Sequence, residues 1–182
     1  FFTEEDRAFY LQWLGKYASD AGLDILSDCL MHIHLVVVPH AADSLAVALG
    51  CAHWRYSQMV NRLHGRCGHL FQGRFSSCAL DEAHAYRALA YVERNPVRAT
   101  MVRHAWDYPW SSARAHVGAT APPAWLEMQR WARWTDAAAW KGELREDSKE
   151  LAKTVRIHTR RGWPLGSDTF VAKMESLLGG CP

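Results

Sequence analysis

Residues 23–39 read LDILSDCLMHIHLVVVP. Val, Ile and Leu dominate this run, and Pro39 closes it, because proline offers a sheet no donor. The stretch is strand-forming, and a strand needs partners, so it commits the chain to a sheet. It also carries His32 and His34, which flank Ile33 inside an otherwise apolar setting. Side chains alternate along a strand, so the two imidazoles are expected on one face, about 7 Å apart along the backbone. Two buried imidazoles need two sets of partners, and one shared divalent cation satisfies both. Two protein ligands leave coordination positions open, an arrangement suited to Lewis-acid chemistry at a phosphate.

Around this run the apolar pattern is helical. Thr3 and Asp6 fit a capping box, residues 9, 13 and 17 and residues 10, 14, 17 and 21 recur at helical spacing, and Gly22 is a natural stop. The spacing predicts helices over about 4–21, 44–63 and 81–94, the last capped by Asp81 and ended by Pro96. HGRCGHLFQGRFSSCAL reads as a Gly-punctuated loop and a short strand, and WDYPWSSARAHVG as a turn and a short helix. Beyond Gly118, ATAPPAW reads as a linker, 125–146 as Trp-rich and helical, and SDTFVAKMESLLGG as a helix with one apolar face. Mixed strands and helices without regular βαβ units predict an α+β fold with helices on one side of the sheet. Two parts are expected: a catalytic domain over 1–118, and a linker with a helical C-terminal extension and basic segment over 119–182.

The net charge is only +2, but its distribution is uneven. Residues 44–80 contain no Asp or Glu and carry Arg55, Arg62, Arg66 and Arg74. Residues 151–167 are also free of acids and carry Lys153, Arg156, Arg160 and Arg161. Two basic segments in a nearly neutral chain predict a localised polyanion footprint. Interleaved aromatics in 54–75 suit backbone phosphates and unpaired bases together. The five cysteines form no CxxC pair, and HGRCGH with Cys78 matches no standard zinc spacing, so a reducing, cytoplasmic setting is expected. The longest apolar run, around 35–38, is far too short to span a bilayer. The chain opens on FFTEEDR without a Met, as a fragment would.

In YVERN, Tyr91 and Asn95 stand one helical turn apart on one face. The Asn95 carbonyl oxygen can bind a hard cation, and the Tyr91 phenol can attack a phosphate activated by that cation. Glu93 falls on a different face and is the weaker ligand candidate.

HIH followed by HGRCGHLFQGRF, YVERNPVRA, WSSARAHVG and RRGWPLGSDTF, in that order, resembles the REP-associated tyrosine transposases, which belong to the HUH single-strand transposases with one catalytic tyrosine. The resemblance covers roughly 1–118 and 157–180. It implies a ferredoxin-like antiparallel sheet and cleavage and rejoining of single-stranded DNA near hairpin-forming, REP-like palindromes. By the same resemblance, His32 and His34 bind a divalent metal, Mg²⁺ or Mn²⁺. Tyr91 forms a 5′-phosphotyrosine, and Asn95 is the third polar group at the metal. Gln72 and Arg74 of FQGRF lie beside the site and contact DNA. The two basic segments, read from their own composition, offer Arg55, Arg62, Arg66, Arg160 and Arg161 as further DNA contacts. A monomer or homodimer, with no membrane partner, is implied. Two departures stand out: relatives carry Pro-Asn between the Met and the first His, and a further strand before the FFTEED position, so an open sheet edge is expected here. The alternative is a non-catalytic hairpin-binding regulator derived from such an enzyme.

Overall fold

The computed structural model describes residues 1–146 and 149–177. Helix α1 (Glu4–Asp20) starts on the Thr3–Asp6 capping box and stops at Gly22, whose φ of 64° places it in the left-handed region glycine tolerates. Strands β1 (Leu23–Leu30) and β2 (Ile33–Pro39) follow, then α2 (Ser44–Leu63), α3 (Glu82–Glu93) and α4 (Asn95–Arg98). A single 3₁₀ turn (Ala105–Asp107), α5 (Ala113–His116), α6 (Met128–Trp131), α7 (Ala137–Glu143), α8 (Lys149–Arg161) and α9 (Asp168–Leu177) complete the order. The fold is α+β, with a two-stranded antiparallel sheet among the described residues.

The 23–39 run is not one strand. It folds back as a hairpin with Leu30 opposite Ile33, so Met31 and His32 form the turn and only His34 lies in a strand. Met and His are not turn-forming types, and nothing in the composition marks the reversal. The pairing itself selects it, because folding back lets both halves of the run bury apolar side chains on both faces. Leu23, Ile25, Leu30, Ile33, Leu35 and Val37 pack toward α1 and α2. Leu26, Cys29, Val36 and Val38 pack toward α3. Helices therefore cover both faces of the sheet rather than one. No strand forms in 64–80, where Leu80 makes only an isolated bridge to Leu165. Pro96 ends α3 but sits inside the first turn of α4, where its missing N–H costs nothing.

The two sheet edges differ. On β1 the Leu30 N–H donates to the Trp110 carbonyl, and the Ser112 and Glu127 N–H groups donate to the Asp28 and Ile25 carbonyls. Among the described residues the outer edge of β2 has no strand beside it, and the whole of β2 lines a cavity of about 1330 Å³. The expected open edge is thus β2.

Residues beyond 118 share the core of α3. Trp131, Trp140, Leu144, Ala152 and Val155 are buried in the same cluster as Leu89 and Tyr91. The basic segment of the C-terminal extension is helix α8, whose Ala152 and Val155 face inward and whose charges face out. Helix α9 has the expected apolar spacing but buries none of its residues; Leu178 and Gly179 lie outside the described residues. Among the described residues no helix is long and apolar enough to cross a membrane.

Candidate functional site

Tyr91 lies near the end of α3, 9% exposed, and one side of it reaches the large cavity under β2. His32, His34, Gln72 and Arg74 line the same cavity. His32 reaches it from the hairpin turn, His34 from β2, and Gln72 and Arg74 from the exposed loop after α2. The imidazole rings of His32 and His34 stand 6.3 Å apart, centre to centre, at 63° to each other. The hairpin turn therefore keeps the pair together by a different backbone route from the continuous strand the sequence suggested.

His34 Nδ1 lies 3.3 Å from the His32 carbonyl and donates to it. That bond leaves the Nε2 lone pair available, the arrangement in which imidazole serves as a ligand. Burial lowers the His34 pKa; the His32 carbonyl opposes this, and the charges of His32, Arg98 and Arg156 add to the lowering. The ring is therefore neutral at neutral pH and able to coordinate.

Asn95 opens α4, one turn beyond Tyr91. Its Oδ1 accepts from Arg98 Nη2 at 2.7 Å, while its Nδ2 is buried without a partner. The carbonyl oxygen assigned to a cation thus faces a guanidinium. The same Nη2 donates to the Tyr91 backbone carbonyl at 2.5 Å, and the guanidinium carbon sits 4.3 Å from the centre of the Tyr91 ring. Arg98 and Arg156 were not singled out from the sequence as site residues, although Tyr91, Asn95 and Arg98 fall at i, i+4 and i+7, the spacing of one helical face.

Glu93 points away from this face and is fully buried. Its Oε1 accepts from Ser112 Oγ (2.6 Å), Ser27 Oγ (3.2 Å) and His116 Nδ1 (2.5 Å), and its Oε2 from Trp140 Nε1 (2.8 Å). Beside it, burial and the negative charge of Glu93 push the Asp28 carboxyl up to about 8, against a smaller opposing pull from the Ser112 N–H.

The remaining nucleic-acid candidates are dispersed. Arg55 stacks on Trp13 (4.7 Å) and Trp54 (5.6 Å) on the outer face of α1 and α2. Arg62 is exposed in the last turn of α2, and Arg66 lies 6.0 Å from the Phe2 ring. Arg160 and Arg161 are exposed in the last turn of α8, with Arg161 4.4 Å from the Trp163 ring. None of these five side chains joins the cavity that holds the histidines and Tyr91, which Gln72 and Arg74 do line. Among the described residues no trio of His, Cys, Asp and Glu is placed to hold a metal ion, so any ion here draws on the His32–His34 pair and on other donor types. Compared with known proteins, the chain matches no family model, no curated protein and no solved structure.

Proposed function

We propose that the protein is a single-strand DNA transesterase of the REP-associated tyrosine transposase kind, cleaving and rejoining DNA near hairpin palindromes through Tyr91. The observation that carries the reading is that Tyr91, His32 and His34 open onto one cavity with Gln72 and Arg74 at its mouth. The motif resemblance supports it independently.

In this reading the Tyr91 Oη forms a bond to phosphorus while the P–O3′ bond breaks. The phenol gives up its proton and the O3′ gains one, so the products are a 5′-phosphotyrosine and a free 3′-hydroxyl. Nothing is oxidised or reduced, and attack by a 3′-hydroxyl reverses the step. A divalent cation, Mg²⁺ or Mn²⁺, fits the two imidazoles, of which His34 is neutral with a free Nε2. Such an ion would supply polarisation of a phosphoryl oxygen. Asn95 fits less directly, since its oxygen already accepts from Arg98. Gln72 and Arg74 bind the strand at the cavity mouth, and the arginines on α2 and α8 hold flanking phosphates. The substrate is a single-stranded DNA hairpin, met by a monomer or homodimer in the cytoplasm, where the thiols of Cys29, Cys51, Cys67 and Cys78 stay unpaired.

The test is a covalent-adduct assay with a labelled hairpin oligonucleotide, Mg²⁺ or Mn²⁺, and a denaturing gel. A shifted band is expected that disappears with Tyr91→Phe and with EDTA. Hairpin binding without an adduct would replace the transesterase with the non-catalytic hairpin-binding regulator.

A further inference from the structure

We infer that Arg98 is the positioning residue of Tyr91, a clamp that fixes the phenol for in-line attack; this rests on the transesterase reading above. One guanidinium makes two contacts with Tyr91 and a third with Asn95. It covers the Tyr91 ring at 4.3 Å, it donates to the Tyr91 carbonyl at 2.5 Å, and it donates to Asn95 Oδ1 at 2.7 Å. A cation at that distance from a ring centre is attracted to the π face. The carbonyl contact has a structural origin. The change from α3 to α4 leaves last-turn carbonyls without helical donors, and a basic side chain from the next turn can reach back to them.

The contact with Asn95 orients the amide as well. Its oxygen must face Arg98, which turns Nδ2 to the buried side where it has no partner. An unpartnered buried donor is costly. The amide keeps this orientation because the charge-assisted bond to the guanidinium is the stronger requirement. Tyr91, Asn95 and Arg98 thus form one unit. A planar guanidinium lies flat on the ring while its Nη2 donates to both oxygens; a lysine ammonium can donate twice but cannot stack in that way, so it substitutes only in part.

The Tyr91 ring that Arg98 covers lines the same cavity as His32 and His34. Covalent attack requires the nucleophile to be held within about 3–3.5 Å of the phosphorus along the line of the leaving bond, and misplacement by about 1 Å costs on the order of a hundredfold. A phenol free to swing into the 1330 Å³ cavity would spend little time in that geometry. The clamp removes that freedom before the strand arrives.

The experiment compares wild type, Arg98→Lys and Arg98→Met in two readouts. The first is the single-turnover rate of adduct formation at saturating hairpin DNA, beside hairpin affinity by fluorescence anisotropy. The second is NMR of ring-labelled tyrosine, with the Tyr91 signal identified by its absence in Tyr91→Phe. The expected result for Arg98→Met is a fall of at least about thirtyfold in adduct rate, affinity within about threefold, and displaced Tyr91 ring signals. Arg98→Lys restores less than half of the lost rate, and it is the deciding variant if the methionine form does not fold. A purely helix-capping role would lower the melting temperature and leave the rate per folded molecule and the ring signals unchanged; that result overturns the clamp. If wild type forms no adduct, the transesterase reading falls and the ring signals alone decide the clamp.

Discussion

Replacing Asp28 by asparagine should reverse part of the protein's pH dependence. Asp28 is 2% exposed in β1, and burial, with the charge of Glu93 second, raises its carboxyl to about 8. In an unfolded chain the same group titrates at about 4. Between those values the folded protein holds a proton on Asp28 that the unfolded chain has lost. The folded pKa is the higher one, so the stabilisation is complete below about 4 and drains away as pH rises toward 8. The slope for one group is about 1.4 kcal/mol per pH unit, so moving from pH 5 to pH 7 costs wild type on the order of 2–3 kcal/mol through Asp28 alone. Against a total of roughly 5–15 kcal/mol for a domain of ordinary stability, that is readily measured.

Asparagine has nearly the shape of the protonated acid and does not titrate. The assay is urea unfolding of wild type and Asp28→Asn at pH 5, 6, 7 and 8, with the slope on denaturant checked to be equal in the two proteins. Every other group titrates in both, so the difference isolates position 28. The variant should gain on wild type by about 1.4 kcal/mol per pH unit between pH 5 and 7, and the gain should level off above 8. Parallel curves from pH 5 to 7 would mean that Asp28 is ionised in the folded protein, and would refute the account of the buried carboxylate pair.

Two further changes probe the packing behind the site. Trp140→Phe removes the N–H that Glu93 Oε2 accepts at 2.8 Å and opens space at a fully buried position, so a loss of about 3 kcal/mol is expected in urea unfolding, within a single transition. Gly15→Ala sets a Cβ 2.5 Å from Trp125 Cδ1 and 2.9 Å from its Cβ. Overpacking of about 1–3 kcal/mol should outweigh a helix-propensity gain of at most about 1 kcal/mol, and Trp125→Ala in the same chain should restore the melting temperature.

What the sequence disclosed was local. Thr3 with Asp6 and Asp81 mark helix starts by short-range hydrogen bonding, Gly22 marks a stop by its left-handed backbone, and α1 and α3 lie where those signals put them, while α2 follows its apolar spacing. Tyr91 and Asn95 could be placed on one face because helical spacing is also local; Arg98 obeyed the same rule and was readable by it. The hairpin turn was hidden because Met31 and His32 carry no turn chemistry, and only pairing across the turn reveals it. Helix α8 was hidden because its basic residues hide a narrow inner stripe of Ala152 and Val155. The contact between Glu93 and Trp140 joins residues 47 apart, and nothing in the spacing of either segment announces it. The cavity belongs to the same class, since it is bounded by β2, the 70–80 loop, α3 and α8 together.

That long-range contact explains why a Trp-rich segment belongs to the site at all. Residues 91 and 93 are two steps apart on a helix, about 200° around its axis. If Glu93 is fixed at the rear, the direction of Tyr91 at the front is fixed with it. Glu93 is held by donors from three places: Ser27 of β1, Ser112 and His116 at α5, and Trp140 of α7. A buried carboxylate with four donors cannot turn without leaving several of them unpaired, so the cost of rotating α3 is high. Arg98 then settles what the helix angle leaves open, the position of the ring itself. In the proposed function α7 therefore contributes from behind, by holding Glu93 and with it the angle of α3. The buried acid cluster behind α3 and the Arg98 contacts in front of it thus bear on one side chain, the Tyr91 phenol that shares a cavity with His32 and His34.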